Sequence, residues 1–381
     1  MTLFAVLSLF FALVAGAYAL LSAVIALGQH QLARATRPSS GTPAGSLPIS
    51  IVVPTREDGA GIRPLLQSLR GQVAKGDEVL LIDDHSSPAA YERLGLLLEE
   101  FRLPLKLLRN TGLPGKKNAL ACGIAEARHD IIFQTDADCS LDQDCLQVLR
   151  SAFREPGVAM VMGLVKMQAG SSGASRFAAV EYQSLQMAGL TLAALGKPLM
   201  GSAAALAYRR EVHEQGRAVG REKSSGDDVF LIQAQQAKAP GSILALPECR
   251  VTTEAPFTWK DFLNQRIRWG AKVPAYPSVL ARLVSVLVAL YPLLTLSLLA
   301  SSFIWPPGLA YGLLLAGLKY FLDTLNLLLW YRRFHSGIPW SAILQAGIIY
   351  PFYIVVVLAL MPFLKPHWRG QKIDQQAPDQ E

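Results

Sequence analysis

Hydrophobic and polar positions follow two rhythms in this chain. Residues 3–28 are almost entirely apolar, as are about 280–304, 308–331 and 339–364. Each is longer than the ~20 residues that cross a hydrocarbon layer. Between them, short apolar runs (SIVVP, EVLLID, LKLLR, DIIFQTD, VAMVMGLV) alternate with helical stretches near 60–72, 89–102, 116–127 and 142–154. That alternation predicts one α/β domain over 49–256, with a largely parallel sheet covered by helices. A longer helical stretch follows at 173–197. Residues 258–272, TWKDFLNQRIRWGAK, are amphipathic and suit a membrane interface. The expected divisions are a transmembrane helix at 1–30, a linker at 31–48, the α/β domain at 49–256, an interfacial helix at 257–277, a membrane region of about three spans at 278–365 and a polar tail at 366–381.

Charge at the flanks orients this plan. No charged side chain precedes the first span, whereas Arg34 and Arg37 follow it. The excess of Lys and Arg on cytoplasmic sides then places the N-terminus outside and the domain in the cytoplasm, on the cytoplasmic (inner) membrane. The span lacks the basic start, short apolar region and small-residue cleavage site of a secretory signal. Pro351 and Pro362 interrupt the last apolar segment, and a basic stretch, KPHWRGQK, follows it. Four full crossings would put that basic stretch outside. Either the last segment is re-entrant or the charge rule fails here.

Bulk composition narrows the choice. Only 17% of the 381 residues are charged, against the usual quarter, and the deficit is concentrated in the apolar segments. The net charge of +7 comes without a basic tract interleaved with aromatics. Nucleic acid is therefore not an expected partner; an anionic membrane surface or a phosphate ligand is. The four cysteines, Cys122, Cys139, Cys145 and Cys249, form no CxxC pair. A zinc site is not expected, and free thiols in a reducing compartment are.

The polar clusters carry the chemistry. Asp136 and Asp138 leave a strand two residues apart, so both can reach one hard divalent cation shared with phosphate oxygens. Asp83 and Asp84 end the EVLLID run, where an aspartate can accept a hydrogen bond from a base imide or ribose hydroxyl; an Asx turn is the structural alternative. Thr55, Arg56 and Glu57 follow the first strand and would line the same crevice, at the carboxyl ends of the strands. Lys116 and Lys117 sit beside Gly115 at a helix start, which suits phosphate charge. Asp227 and Asp228 precede a helix, either as caps or as a general base. Gln265, Arg268 and Trp269 share one helical face. Arg268 can clamp a diphosphate, and Trp269 offers a flat face to a sugar ring.

In this order, the clusters resemble family 2 glycosyltransferases, inverting enzymes with a GT-A (Rossmann-like) fold. The resemblance covers about 49–270 and the spans around it. It is nearest to the membrane-embedded branch with D, DxD, D and QxxRW motifs, which includes polysaccharide synthases and ceramide glucosyltransferases. The resemblance implies that Asp83 and Asp84 contact uridine, with Thr55, Arg56 and Glu57 beside them. It implies that Lys116 approaches the diphosphate and that Asp136 and Asp138 hold Mn²⁺ or Mg²⁺. Asp228 is then the base, beside Asp227, and Gln265, Arg268 and Trp269 close over diphosphate and acceptor. Residues 200–205, MGSAAA, resemble the acceptor end of such synthases, which adds Gly201 and Ser202. The base motif here is GDD, where many relatives have TED or EED. The expected function is transfer of a sugar from a UDP-sugar to a lipid or lipid-linked acceptor. A processive polysaccharide synthase is the alternative. A sugar-nucleotide sensor or inactive subunit is the opposing class, and intact DxD and base motifs weigh against it.

Overall fold

The computed structural model describes residues 3–34, 47–216, 226–335, 337–364, 367–368 and 371–372. In chain order the elements begin with α1 (Leu3–Arg34), β1 (Ile49–Thr55), α2 (Arg63–Leu69), β2 (Glu78–Asp83), α3 (Pro88–Glu99), β3 (Leu105–Arg109) and α4 (Lys116–Glu126). Next are β4 (Ile131–Gln134), β5 (Ser140–Leu141), α5 (Cys145–Ala152), β6 (Met160–Gln168), α6 (Gly173–Ala194), β7 (Leu206–Arg209) and α7 (Arg210–Gly216). Then come α8 (Asp227–Lys238), β8 (Ile243–Glu254), α9 (Trp259–Gly270), α10 (Val279–Ser301), α11 (Pro307–Phe334) and α12 (Trp340–Leu360). The linker expected at 31–48 and the tail at 366–381 lie mostly outside the described residues.

Eight strands form one sheet in the order β3-β2-β1-β4-β7-β6-β8-β5. The first four are parallel; β1, β2 and β4 are buried along their whole length, whereas the edge strand β3 exposes Lys106 and Arg109. Ile51, Val52 and Val53 of β1 and Val79 to Ile82 of β2 are fully buried. The rest of the sheet departs from the expected pattern. β7 runs antiparallel to both β4 and β6, β5 runs antiparallel to β8, and β6 and β8 are parallel. The β6–β8 ladder shifts register after Gly163. A Cβ at Gly163 would lie 2.6 Å from the Cys249 carbonyl oxygen, so that irregularity requires glycine.

Among the described residues, four helices, α1, α10, α11 and α12, are long and apolar enough to cross a membrane. Glycines let them approach: added Cβ atoms at Gly308 and Gly312 of α11 would collide with Leu298 and Leu299 of α10, the small-residue packing of membrane helices. Lys319, Asp323 and Asn326 inside this bundle are paired. Lys319 forms an ion pair with Asp323 one turn on. Lys319 also donates to the Tyr18 hydroxyl at 2.7 Å, and its ammonium lies 4.2 Å from the Tyr350 ring centre. Tyr18 in turn donates to Asp323 at 2.5 Å. Asn326 binds Ser22 and Gln29 of α1.

Helix α6 joins the α/β domain to these helices. Gln183 accepts from Trp330 of α11 at 3.3 Å and donates to the Val165 carbonyl of β6 at 3.1 Å. A Cβ at Gly28 of α1 would lie 2.5 Å from the Thr191 carbonyl oxygen. Gln29 of α1 reaches Met187 of α6, and α1 continues to Arg34, past its expected end at residue 30, with Leu32 buried in the core. α12 is one continuous helix with Pro351 inside it, and Pro362 lies beyond its end. His335, just before α12, is 3.0 Å from the Gln183 side chain. Met361, just after α12, packs against Gly270 of α9.

Candidate active site

Parallel pairing sets the first half of the site. Thr55 and Asp83 are register partners at the carboxyl ends of β1 and β2, and Gln134, two residues before Asp136, pairs with Val52. The loops leaving β1, β2 and β4 therefore open at one edge of the sheet, where open α/β folds bind ligands.

The adjacent aspartates separate into two roles. Asp83 is buried and its Oδ1 has no hydrogen-bond partner. A buried acceptor in that state is costly and is ready for a ligand N–H or O–H. Asp84 is also buried, but its carboxylate accepts from Asn110 at 2.9 Å and from the Gly115 N–H at 2.8 Å. Arg56 donates to the Asp84 carbonyl at 2.9 Å. Asp84 thus braces the loop that presents Lys116. The Glu57 carboxylate accepts from the Ser87 N–H at 2.6 Å, and this bond holds its pKa below the ordinary carboxylate value. Thr55 donates to Asp58 at 2.9 Å.

Across the crevice, the Lys116 ammonium lies 2.5 Å from Asp136 Oδ1. Asp136 is half-buried and Asp138 exposed. The buried Thr135 hydroxyl beside them has no partner. Among the described residues, no group of three or more His, Cys, Asp or Glu gathers for a metal. Two carboxylates that leave other positions to phosphate and water are the donor set Mg²⁺ and Mn²⁺ accept.

The second half of the site is built on α6, α8 and α9. Helix α8 starts at Asp227, and its N-cap is Gly226, in the left-handed region at φ 101°. Asp228 is therefore the second residue of the helix and not its cap. Its Oδ2 accepts from the Ala203 N–H at 3.2 Å, and its Oδ1 from the Val229 N–H at 2.8 Å. Nothing is described of the Asp227 side chain. Ser202 accepts from Tyr182 of α6 at 3.0 Å, and the Tyr182 ring lies 5.8 Å from that of Trp269. A Cβ at Gly201 would meet the tips of Ile232 at 2.7 Å and Met162 at 3.0 Å, so a larger residue there must displace both. Burial raises the Tyr182 pKa, and the charges of Asp228 and Cys139 reinforce that rise, whereas Ser202 opposes it. Burial and Asp228 likewise raise Tyr276. Gln265, Arg268 and Trp269 are half-buried on α9. The structure thus gathers Asp228, Ser202 and Trp269 around Tyr182, a residue that only a reading of long-range contacts could have singled out.

The family model described as Glycosyl transferase family 2 matches residues 50–217. That stretch is similar to family 2 glycosyltransferase domains. An N-acetylglucosaminyltransferase of Rhizobium meliloti (strain 1021) is 25% identical over 235 residues, 58% of this chain and 54% of that protein. A hyaluronan synthase of Streptococcus pyogenes is 24% identical over 240 residues, 58% of this chain and 56% of that protein. The chain thus matches just over half the length of these relatives. A mannosyltransferase from Pyrobaculum calidifontis, in complex with GDP-Man and Mn²⁺, superposes with a TM-score of 0.54 at 17% identity, over 93% of this chain and 99% of that one. That likeness is one of fold. The expected GT-A α/β domain with transmembrane helices is borne out.

Proposed function

We propose that this protein is an inverting glycosyltransferase that moves a sugar from a UDP-sugar to a lipid or lipid-linked acceptor at the cytoplasmic membrane. The observation that carries the reading is the Lys116–Asp136 ion pair beyond the carboxyl end of β4. It supports a diphosphate site near the loops leaving β1 and β2, on a domain whose α6 packs directly on the membrane helices. Asp83 would accept from the uracil imide. Lys116 and Arg268 would balance diphosphate charge, and Gln265 would lie beside them. Asp228 would take the acceptor hydroxyl proton while that oxygen attacks the anomeric carbon and UDP departs from the opposite face. Trp269, Gly201 and Ser202 would border the acceptor.

Asp136 and Asp138 would hold Mn²⁺ or Mg²⁺, which when bound neutralises charge on the leaving diphosphate. The complex of the Pyrobaculum enzyme with GDP-Man and Mn²⁺ supports that assignment. Arg34 and Arg37 after α1 support a cytoplasmic domain. The likeness to hyaluronan synthases favours a second reading, a processive synthase that extends a polysaccharide.

The test uses the full-length protein in native membranes with a panel of radiolabelled nucleotide sugars. Label in the lipid extract from a UDP-sugar is the expected result. Label in insoluble polymer selects the second reading, and no transfer from any donor overturns both. EDTA and Asp138→Ala should each abolish transfer; activity that survives EDTA overturns the metal assignment.

A further inference from the structure

Within QRIRW, Arg266 turns into the protein and is 5% exposed. Its Nε donates to Glu181 of α6 at 2.8 Å, and its Nη2 donates to the same carboxylate oxygen. Its Nη1 donates to the Gln265 side-chain oxygen at 2.5 Å. The guanidinium plane lies 4.3 Å from the Trp269 ring centre and 4.6 Å from that of Phe262. The other oxygen of Glu181 accepts from the Tyr353 hydroxyl of α12 at 2.9 Å. The pair thus joins α9 to α6 and α12, and its remaining guanidinium edge holds Gln265 of α9 itself.

Burying two charges costs several kcal/mol per ion and is often no more stabilising than apolar packing. The surroundings are already apolar and aromatic, with Phe177, Phe262 and Tyr353 in mutual ring contact. The ion pair therefore needs another explanation than stability. A planar fork can hold an amide at one edge and an aromatic ring on its face at once, which an ammonium cannot. We infer that Glu181, Arg266 and Tyr353 form a positioning unit that sets the orientations of Gln265 and Trp269 and ties them to α12. This rests on the reading of Gln265 and Trp269 as donor and acceptor contacts. Arg266 itself touches neither reacting group.

The test compares full-length Arg266→Gln, Glu181→Gln, the double variant and Tyr353→Phe in nanodiscs. Each charge-removing single leaves a buried ion unpaired and should lower the folded yield. The double removes both charges and keeps a hydrogen-bonding pair, so its thermal midpoint should recover. Its kcat should nevertheless stay down on the order of 10²-fold, the cost of a small misplacement. A double variant that regains kcat with its midpoint overturns the proposal. Should the double fail to fold, Tyr353→Phe decides, because it removes one hydroxyl and keeps the packing. A severalfold fall in kcat at an unchanged midpoint supports the unit, and unchanged kcat overturns it. A second readout is independent of turnover: the ¹⁹F resonance of fluorotryptophan at Trp269, assigned with Trp269→Phe. Broadening or shift of that line in the variants supports positioning even if no glycoside forms and the enzymatic reading fails. An unchanged line overturns the proposal.

Discussion

Replacing Asp228 by Asn separates a proton acceptor from a fold-stabilising carboxylate. The cost to the fold can be worked from its contacts. Both carboxylate oxygens accept backbone N–H groups, Ala203 at 3.2 Å and Val229 at 2.8 Å. Asn has one acceptor oxygen, so one of the two N–H groups loses its partner and faces an amide N–H instead. A hydrogen bond lost in that way costs about 1–3 kcal/mol. Loss of a negative charge in the first turn of α8 adds about 0.3–1 kcal/mol. With total stability on the order of 5–15 kcal/mol, the variant stays folded well below its midpoint. A structural role therefore predicts near-normal turnover per folded molecule. A base role predicts a loss on the order of 10²–10⁴-fold, equivalent to about 3–5 kcal/mol of barrier. The assay is initial rate at saturating donor, divided by the fraction of molecules that bind UDP. Turnover within a few-fold of wild type would refute the assignment of Asp228 as the base.

Other tests reach the membrane helices and the junction. Lys319→Met leaves Asp323 with the Tyr18 hydroxyl as its remaining polar contact of those seen around the pair, and should cost about 3–5 kcal/mol; adding Asp323→Leu should recover most of the folded yield in detergent, and a double as poor as the sum of the singles refutes the pairing. Burial, helped by Lys166 and Arg250, holds the His335 pKa down to about 4 from 6.5. The unfolded chain binds a proton between those values and the folded one does not. Stability should be complete above pH 6.5 and fall as pH drops towards 4, and His335→Gln should flatten thermal midpoints measured across that window. Gly28→Ala puts a methyl 2.5 Å from the Thr191 carbonyl oxygen, which should cost about 1–3 kcal/mol as overpacking; an unchanged midpoint would show that α1 and α6 are not in tight contact.

The parallel half of the sheet was legible because β1, β2 and β4 are mostly apolar runs buried on both faces. β7 is four residues long and β5 two, too short for any periodicity. β8 mixes polar and apolar positions where its ladder shifts. The acidic clusters were legible as a set, yet adjacent residues were not distinguishable. Only the fold turns an unpartnered Asp83 oxygen toward the crevice and commits Asp84 to a loop. It also moves the cap of α8 to Gly226, freeing Asp228 from that duty. Glu181, Tyr182 and Arg266 escaped notice because their partners lie far away in sequence. Glu181 and Arg266 are 85 positions apart, and no local pattern marks such a pair.

The two flanks of α12 tie it to the α/β domain at both ends. His335 before it meets α6, and Met361 after it meets α9. Between them the helix passes Tyr320 and Lys319 of α11 and reaches Glu181 through Tyr353. A displacement of α6 against α9 would therefore act on α12 at both ends, and through the Tyr350 ring on Lys319 of α11.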